Sequence, residues 1–92
     1  MTDAILLPAR LDGDGVRALT PLLLSGIKTG HITLDASAVT HMGALGVQAI
    51  LAAARDLRAS GGQISILSLT DRAVDQLALM GLTPIQLSEG VR

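Results

Sequence analysis

The chain contains no cysteine, phenylalanine, tyrosine or tryptophan. Without thiols there is no disulfide framework and no thiolate chemistry, which fits a reducing compartment. Without aromatic rings there is no stacking platform, and this argues against recognition of single-stranded nucleic acid through its bases. Charge is sparse as well: Asp, Glu, Lys and Arg make up 16% of the 92 residues, with a formal net charge of −1. The seven Lys and Arg are spread along the chain, so no basic stripe neutralises a phosphate backbone. No apolar run approaches the roughly 18 residues that a membrane-spanning helix needs. The chain opens Met1-Thr2-Asp3, without the positive segment and long apolar run of a secretory leader. The expectation is a cytoplasmic domain that binds no nucleic acid and does not insert into membranes.

What is present is aliphatic. Hydrophobic residues make up 49% of the chain, so the core must be built from Leu, Ile, Val, Ala and Met. A length of 92 residues points to one domain, spanning residues 1–92. A chain of this size buries roughly 60–65% of its unfolded surface, enough for a small core.

Apolar spacing along the chain alternates between strand and helix. Ile5 to Leu7 is a short strand-like run ending near Pro8. Asp12-Gly13-Asp14-Gly15 has the chemistry of a turn and helix cap. Val16, Leu19, Leu23 and Ile27 then recur at helical spacing, with Pro21 expected to kink or restart the helix and Gly30 expected to close it. His31 to Asp35 is the clearest strand, because Ile32 and Leu34 alternate with His31 and Thr33. From Ala44 to Ala59 the pattern is helical, with Val47, Ile50, Leu51, Ala54 and Leu57 on one face; Gly61-Gly62 stops it. Ile64 to Leu67 forms the next strand. Thr70-Asp71 caps a helix that turns Val74, Leu77 and Met80 inward and ends at Gly81. Ile85 to Leu87 suggests a last edge strand. The predicted architecture is α/β: a sheet of about four mainly parallel strands with helices packed against it and right-handed crossovers.

Several constellations of reactive side chains are present and carry little. Asp12, Asp14 and Asp35 have the residue type of a phosphoacceptor cluster, but the chemistry also needs a lysine after a later strand. The one lysine is Lys28, at the end of the first helix. Cap and turn roles account for these aspartates. His31 and His41 lack cysteine partners and i, i+4 spacing, so no metal site is expected. Asp35, Ser37 and His41 include the types of a nucleophilic triad. All three lie within seven residues on one strand and loop, where their side chains converge poorly, and no oxyanion-hole motif accompanies them. No enzymatic activity and no cofactor are expected.

The segment Leu34-Asp35-Ala36-Ser37-Ala38-Val39-Thr40-His41-Met42 resembles the strand-and-loop signature of STAS domains, the anti-sigma-factor antagonist family, which runs roughly LDLSGVTFID-SSGLG. The resemblance stays in register from Leu34 to Gly62. Gly46 falls on the glycine after the family's serine pair, and Gly61-Gly62 falls at the turn before the next strand. Val74, Leu77, Gly81 and Leu82 fit its closing V…L…GL segment, and Ala9-Arg10-Leu11-Asp12 looks like its GELD element. Two departures stand out. The family often begins with a two-stranded hairpin, whereas one strand precedes Asp12 here. The family's regulatory Asp-Ser falls on Gly43-Ala44, and the following serine on Leu45. The hydroxyl that a partner kinase phosphorylates in regulated members is therefore missing.

This resemblance implies a protein-interaction module of a bacterial signalling or regulatory system, such as chemotaxis or stress response. Its partner class includes serine-kinase-like anti-sigma factors, other signalling proteins and transporter subunits. Docking is expected through Thr40, His41, Gly43, Ala44 and Leu45, continuing onto Gln48, Ala49 and Ala52 of the following helix. That helix face is poor in charge and lets a partner approach closely; alternatively, its alanines reflect helix propensity alone. With alanine at position 44, binding is constitutive, is controlled by the partner, or is switched at a displaced phosphosite, Ser37 or Thr40. Two other readings of the same residues remain open. The helix N-terminus can hold a nucleotide or phosphate on its free N–H groups, although two glycines three apart are far weaker than a phosphate-loop motif. The alanine-rich face can also pair copies of the chain. The sequence leaves the oligomeric state open.

Overall fold

The computed structural model describes residues 4–90. Residues 1–3 and 91–92, the ends of the expected domain and the Met1-Thr2-Asp3 opening, lie outside the described residues. The elements run β1 (Ile5–Leu6), α1 (Gly13–Thr29), β2 (His31–Asp35), α2 (Ala44–Ala59), β3 (Gln63–Leu67), α3 (Asp71–Leu79) and α4 (Pro84–Glu89). The strands form one sheet in the order β1-β2-β3. Both pairings are parallel, with Ile5 opposite Leu34 and Ile32 opposite Ile64. The α/β fold with a parallel sheet is as expected.

Each crossover steps the same way along the sheet, and crossovers of one hand place their helices on one face. Consistent with this, α1 and α2 pack on each other, α1 on β2 and α2 on β3. Ile32, Leu34 and Ile64 are buried. On α2 the predicted inward residues Val47, Ile50, Leu51, Ala54 and Leu57 are all buried, joined by Ala53. Full burial of each large aliphatic side chain stabilises the fold by about 1.5–3 kcal/mol.

Local chemistry fixes the helix ends. Asp12 caps α1, accepting from the Gly15 N–H at 3.2 Å. Gly30 closes α1 in the left-handed region, with φ 85°, a conformation that costs glycine nothing. Pro21 neither breaks nor restarts α1, contrary to expectation: the helix is continuous over 17 residues. Pro21 removes a single backbone donor, and the turn before it gains a bond from the Thr20 hydroxyl to Val16 O at 2.7 Å. In α3, Leu77 is buried as expected, with Ala73 beside it; Val74 and Met80 are half-buried.

The expected strand at Ile85 to Leu87 is instead the helix α4, and the sheet has three strands among the described residues rather than four. Thr83-Pro84-Ile85-Gln86 is a capping box. The Thr83 hydroxyl oxygen accepts from the Gln86 N–H at 3.2 Å, and Gln86 Oε1 accepts from the Thr83 N–H at 2.9 Å. Pro84 occupies the first turn, where its missing donor costs nothing. Leu87 drives α4 into the core, and α4 packs on α2 and β3. Arg55 Nε donates to Gly90 O at 3.0 Å, and Arg58 pairs with Glu89 at 3.6 Å, tying α4 to α2.

Candidate functional site

The loop from Ala36 to Gly43 leaves the end of β2 and enters α2. Asp35 starts it by accepting from the Ser37 N–H at 2.9 Å. Val39 and Met42 are its buried anchors. The Val39 carbonyl accepts from the Thr70 hydroxyl at 3.2 Å, and the Met42 N–H donates to Gln76 Oε1. Both bonds come from the cap and body of α3, so α3 serves as a brace for the loop.

The other side of the loop is tied to the segment after β1. The N–H groups of Thr40 and His41 both donate to Ala9 O, at 2.8 and 3.0 Å, and the Thr40 hydroxyl donates to the same oxygen at 3.1 Å. The Leu11 N–H returns a bond to His41 O at 2.9 Å. Leu11 is wholly buried beneath the start of α2. A side chain at Gly43 would lie 2.5 Å from Leu11 O, and one at Gly46 2.5 Å from Leu11 Cβ. Both glycines are therefore required for close approach.

The surface so positioned is small and uncharged. Thr40, Ala44, Leu45, Gln48 and Ala52 are exposed, while His41, Gly43 and Ala49 are half-buried. Leu45 is 61% exposed and stands at its centre. Leu45, Gln48, Ala49 and Ala52 share one helical stripe. Ala49 and Ala52 also line a hollow of about 240 Å³ between α1 and α2, with Leu24 and Ile27 opposite and Asp56 at its edge. The candidate residues thus extend from the loop into an inter-helix groove. Sequence reasoning missed the supports, Leu11 and Gln76, and the α1 side of the groove. No local signal marks them, because they lie some 30 residues from the parts they touch.

The hydroxyls considered for modification differ in setting. Ser37 is exposed beside the Asp35 carboxylate, and Thr40 is exposed on the Ala9 carbonyl. Two other residues weighed in the sequence have local partners. Asp14 pairs with Arg17 at 3.3 Å, and His31 bonds Thr33 at 3.0 Å. No group of three metal-ligating side chains occurs among the described residues.

Two carboxyls are held below their ordinary value of 3.8: Asp12 chiefly by the Gly15 N–H, and Asp35 by the N–H and then the hydroxyl of Ser37. A depressed folded pKa means that the native state binds fewer protons than the unfolded chain. The stabilisation is complete above the ordinary value and is lost as pH falls through the folded values. Melting temperature is expected to decline below about pH 4, and less steeply in Asp12→Asn, which keeps a capping oxygen but does not titrate. Parallel acid limbs for the two proteins would remove Asp12 from this account.

The family model described as "Mlab, STAS domain" matches residues 2–87. The chain belongs to the STAS domain family. A search of curated proteins returns no match. STAS domains commonly mediate protein interactions, and no helix among the described residues is long and apolar enough to cross a membrane.

Proposed function

We propose that this STAS domain is a non-catalytic interaction module of a bacterial regulatory system, resembling an anti-sigma-factor antagonist. It docks on a protein partner through the loop Thr40 to Gly46 and the outer stripe of α2. The observation that carries this reading is the exposed Leu45, set between exposed Ala44 and Gln48 at the start of α2, directly after a loop braced from both sides. A large aliphatic side chain held rigidly in water gains free energy when a partner covers it. With Ala44 in the switch position, the docking surface is permanently competent. If modification regulates it, Thr40 is the better-placed hydroxyl, because a phosphate on Ser37 would be repelled by Asp35. The same surface suits a STAS-like subunit held permanently in a transporter complex.

Ala44→Glu tests the reading. The exposed side chain sits in the first turn of α2, where an acidic residue favours the helix, so the fold is retained. The native and variant proteins are immobilised, and proteins captured from source-cell lysate are compared by mass spectrometry. Partners of the native form are expected to be depleted about tenfold or more on the variant, equivalent to about 1.4 kcal/mol or more. Equal capture by both forms would move the interface elsewhere.

A second reading, an anion or nucleotide site, draws on the first turn of α2, which has neither a side-chain cap bond nor an acidic residue. A thermal-shift panel of nucleotides and phosphates discriminates the two, since a ligand at 100 times its dissociation constant stabilises the fold by about 2.7 kcal/mol. No shift across the panel leaves protein docking as the use of this loop.

A further inference from the structure

Among the described residues, β3 has β2 on one side and no strand on the other. The Gln63 N–H donates to Gly30 O at 3.2 Å, and the Leu67 carbonyl accepts from the Ala36 N–H at 2.9 Å. In a parallel ladder alternate residues face the same neighbour, so Gln63, Ser65 and Leu67 commit their backbone groups to β2. Ile64 and Ile66 turn theirs the other way. Among the described residues no backbone group outside the sheet bonds to either of them. Two N–H groups and two carbonyls thus line this edge, although Ile64 is only 6% exposed.

The edge is the floor of a groove. One hollow of about 280 Å³ lies between Ile64, Ser65 and Ile66 and the α4 residues Pro84, Ile85 and Ser88. A second, of about 350 Å³, continues from Ile64 and Ser88 toward Gln63 and Arg58. Ile85, on the α4 wall, is 68% exposed.

We propose that this groove binds an extended segment of a partner protein, which joins the sheet as a strand beside β3. The argument is complementarity of partial charge. Along the edge, positive N–H and negative carbonyl groups recur at every second residue, about 6.6 Å apart. Another extended backbone matches both that spacing and that order of sign. A helix satisfies its own backbone along its sides and offers neither. Nucleic acid would need free cations, and Arg58 is already paired with Glu89. A second copy would pair β3 to β3 and carry its own α4 toward the space that this α4 walls; the groove suits a single strand. Side chains of the bound segment alternate. Those on the helix side meet Ile64, Ile66 and Ile85, so aliphatic β-branched residues fit there; those on the other side flank Ser65 and Leu67. This site is separate from the loop before α2 and does not rest on that loop's use.

The probe is the acetylated, amidated peptide Thr-Val-Lys-Val-Thr, with a counterpart N-methylated at both valines and the lysine, which removes the inward N–H groups whichever way the segment runs. Nitrogen-15-labelled protein is titrated with each to millimolar concentration. The proposal expects the Ile64 and Ile66 amides to move downfield and their hydrogen exchange to slow about tenfold, while Gln63, Ser65 and Leu67 keep their bonds to β2. The N-methylated peptide should leave the spectrum unchanged, and Ile85→Arg, at an exposed position, should weaken the shifts. The proposal is overturned by unmoved Ile64 and Ile66 amides, by identical responses to the two peptides, or by shifts centred on residues 40–46. It is also overturned if these amides become protected on concentrating the protein alone, which would assign the edge to a second copy.

Discussion

Leu11→Ala is expected to destabilise the fold by about 2–5 kcal/mol, the range for emptying a fully buried leucine site. For a domain of this size that corresponds to a fall in melting temperature of roughly 10–30 °C. Leu11 is 0% exposed and lies under the start of α2, in contact range of Gly43 and Gly46. Its removal opens a cavity beneath the loop that carries the proposed docking surface. The helix cannot collapse into the space easily, because the backbone on either side is fixed by the bonds of Thr40, His41 and Leu11 itself. Denaturant unfolding measures the loss, and hydrogen exchange should quicken from Thr40 to Gly46 before it does in β2. A loss below about 1 kcal/mol would show that the loop does not depend on this anchor.

A similarly large effect is expected two residues into α1. At Gly15 an added Cβ would lie 2.2 Å from the Arg10 carbonyl oxygen and 3.2 Å from Pro8 Cγ. The first neighbour is backbone, and the segment that carries it is held by the Leu11 bond to His41. Gly15→Ala is therefore expected to cost about 2–3 kcal/mol net, because overpacking outweighs the gain of at most about 1 kcal/mol from helix propensity. Gly13→Ala is the internal comparison. Nothing lies within 4 Å of a Cβ there, so only propensity acts, and the change is expected to be neutral or to stabilise by up to about 1 kcal/mol. Equal stabilities for the two variants, compared by thermal and denaturant melts, would contradict the close contact at Gly15.

The parts of the fold that were legible in the sequence are those set by one strong local pattern. His31 to Asp35 alternates cleanly, and Ala44 to Ala59 keeps a helical stripe between a loop and two glycines; both elements occupy those residues. Pro21 leaves α1 continuous, because one lost donor in an exposed turn costs little in a long helix packed on both α2 and β2. Ile85 to Leu87 departs from its expected strand for a different reason. Three residues are too few for alternation to carry weight, while Thr83 and Gln86 at capping-box spacing were the stronger signal. The candidate site was legible in its exposed half, Thr40 to Ala52, where the family pattern points to it. Its supporting half was not. Leu11 and Gln76 reach the loop through tertiary contacts across 30 or more residues, and neither carries a spacing or residue type that marks such a contact.

The surface around Leu45 presents no charged side chain from Thr40 to Ala52. A partner approaching it is not drawn in by a local field. Encounter there is governed by diffusion and orientation, with association rates of about 10⁵–10⁷ M⁻¹s⁻¹ and little response to ionic strength. Because the loop is already ordered, the complex owes its lifetime to slow release rather than rapid capture, and dilution in salt should leave that lifetime intact.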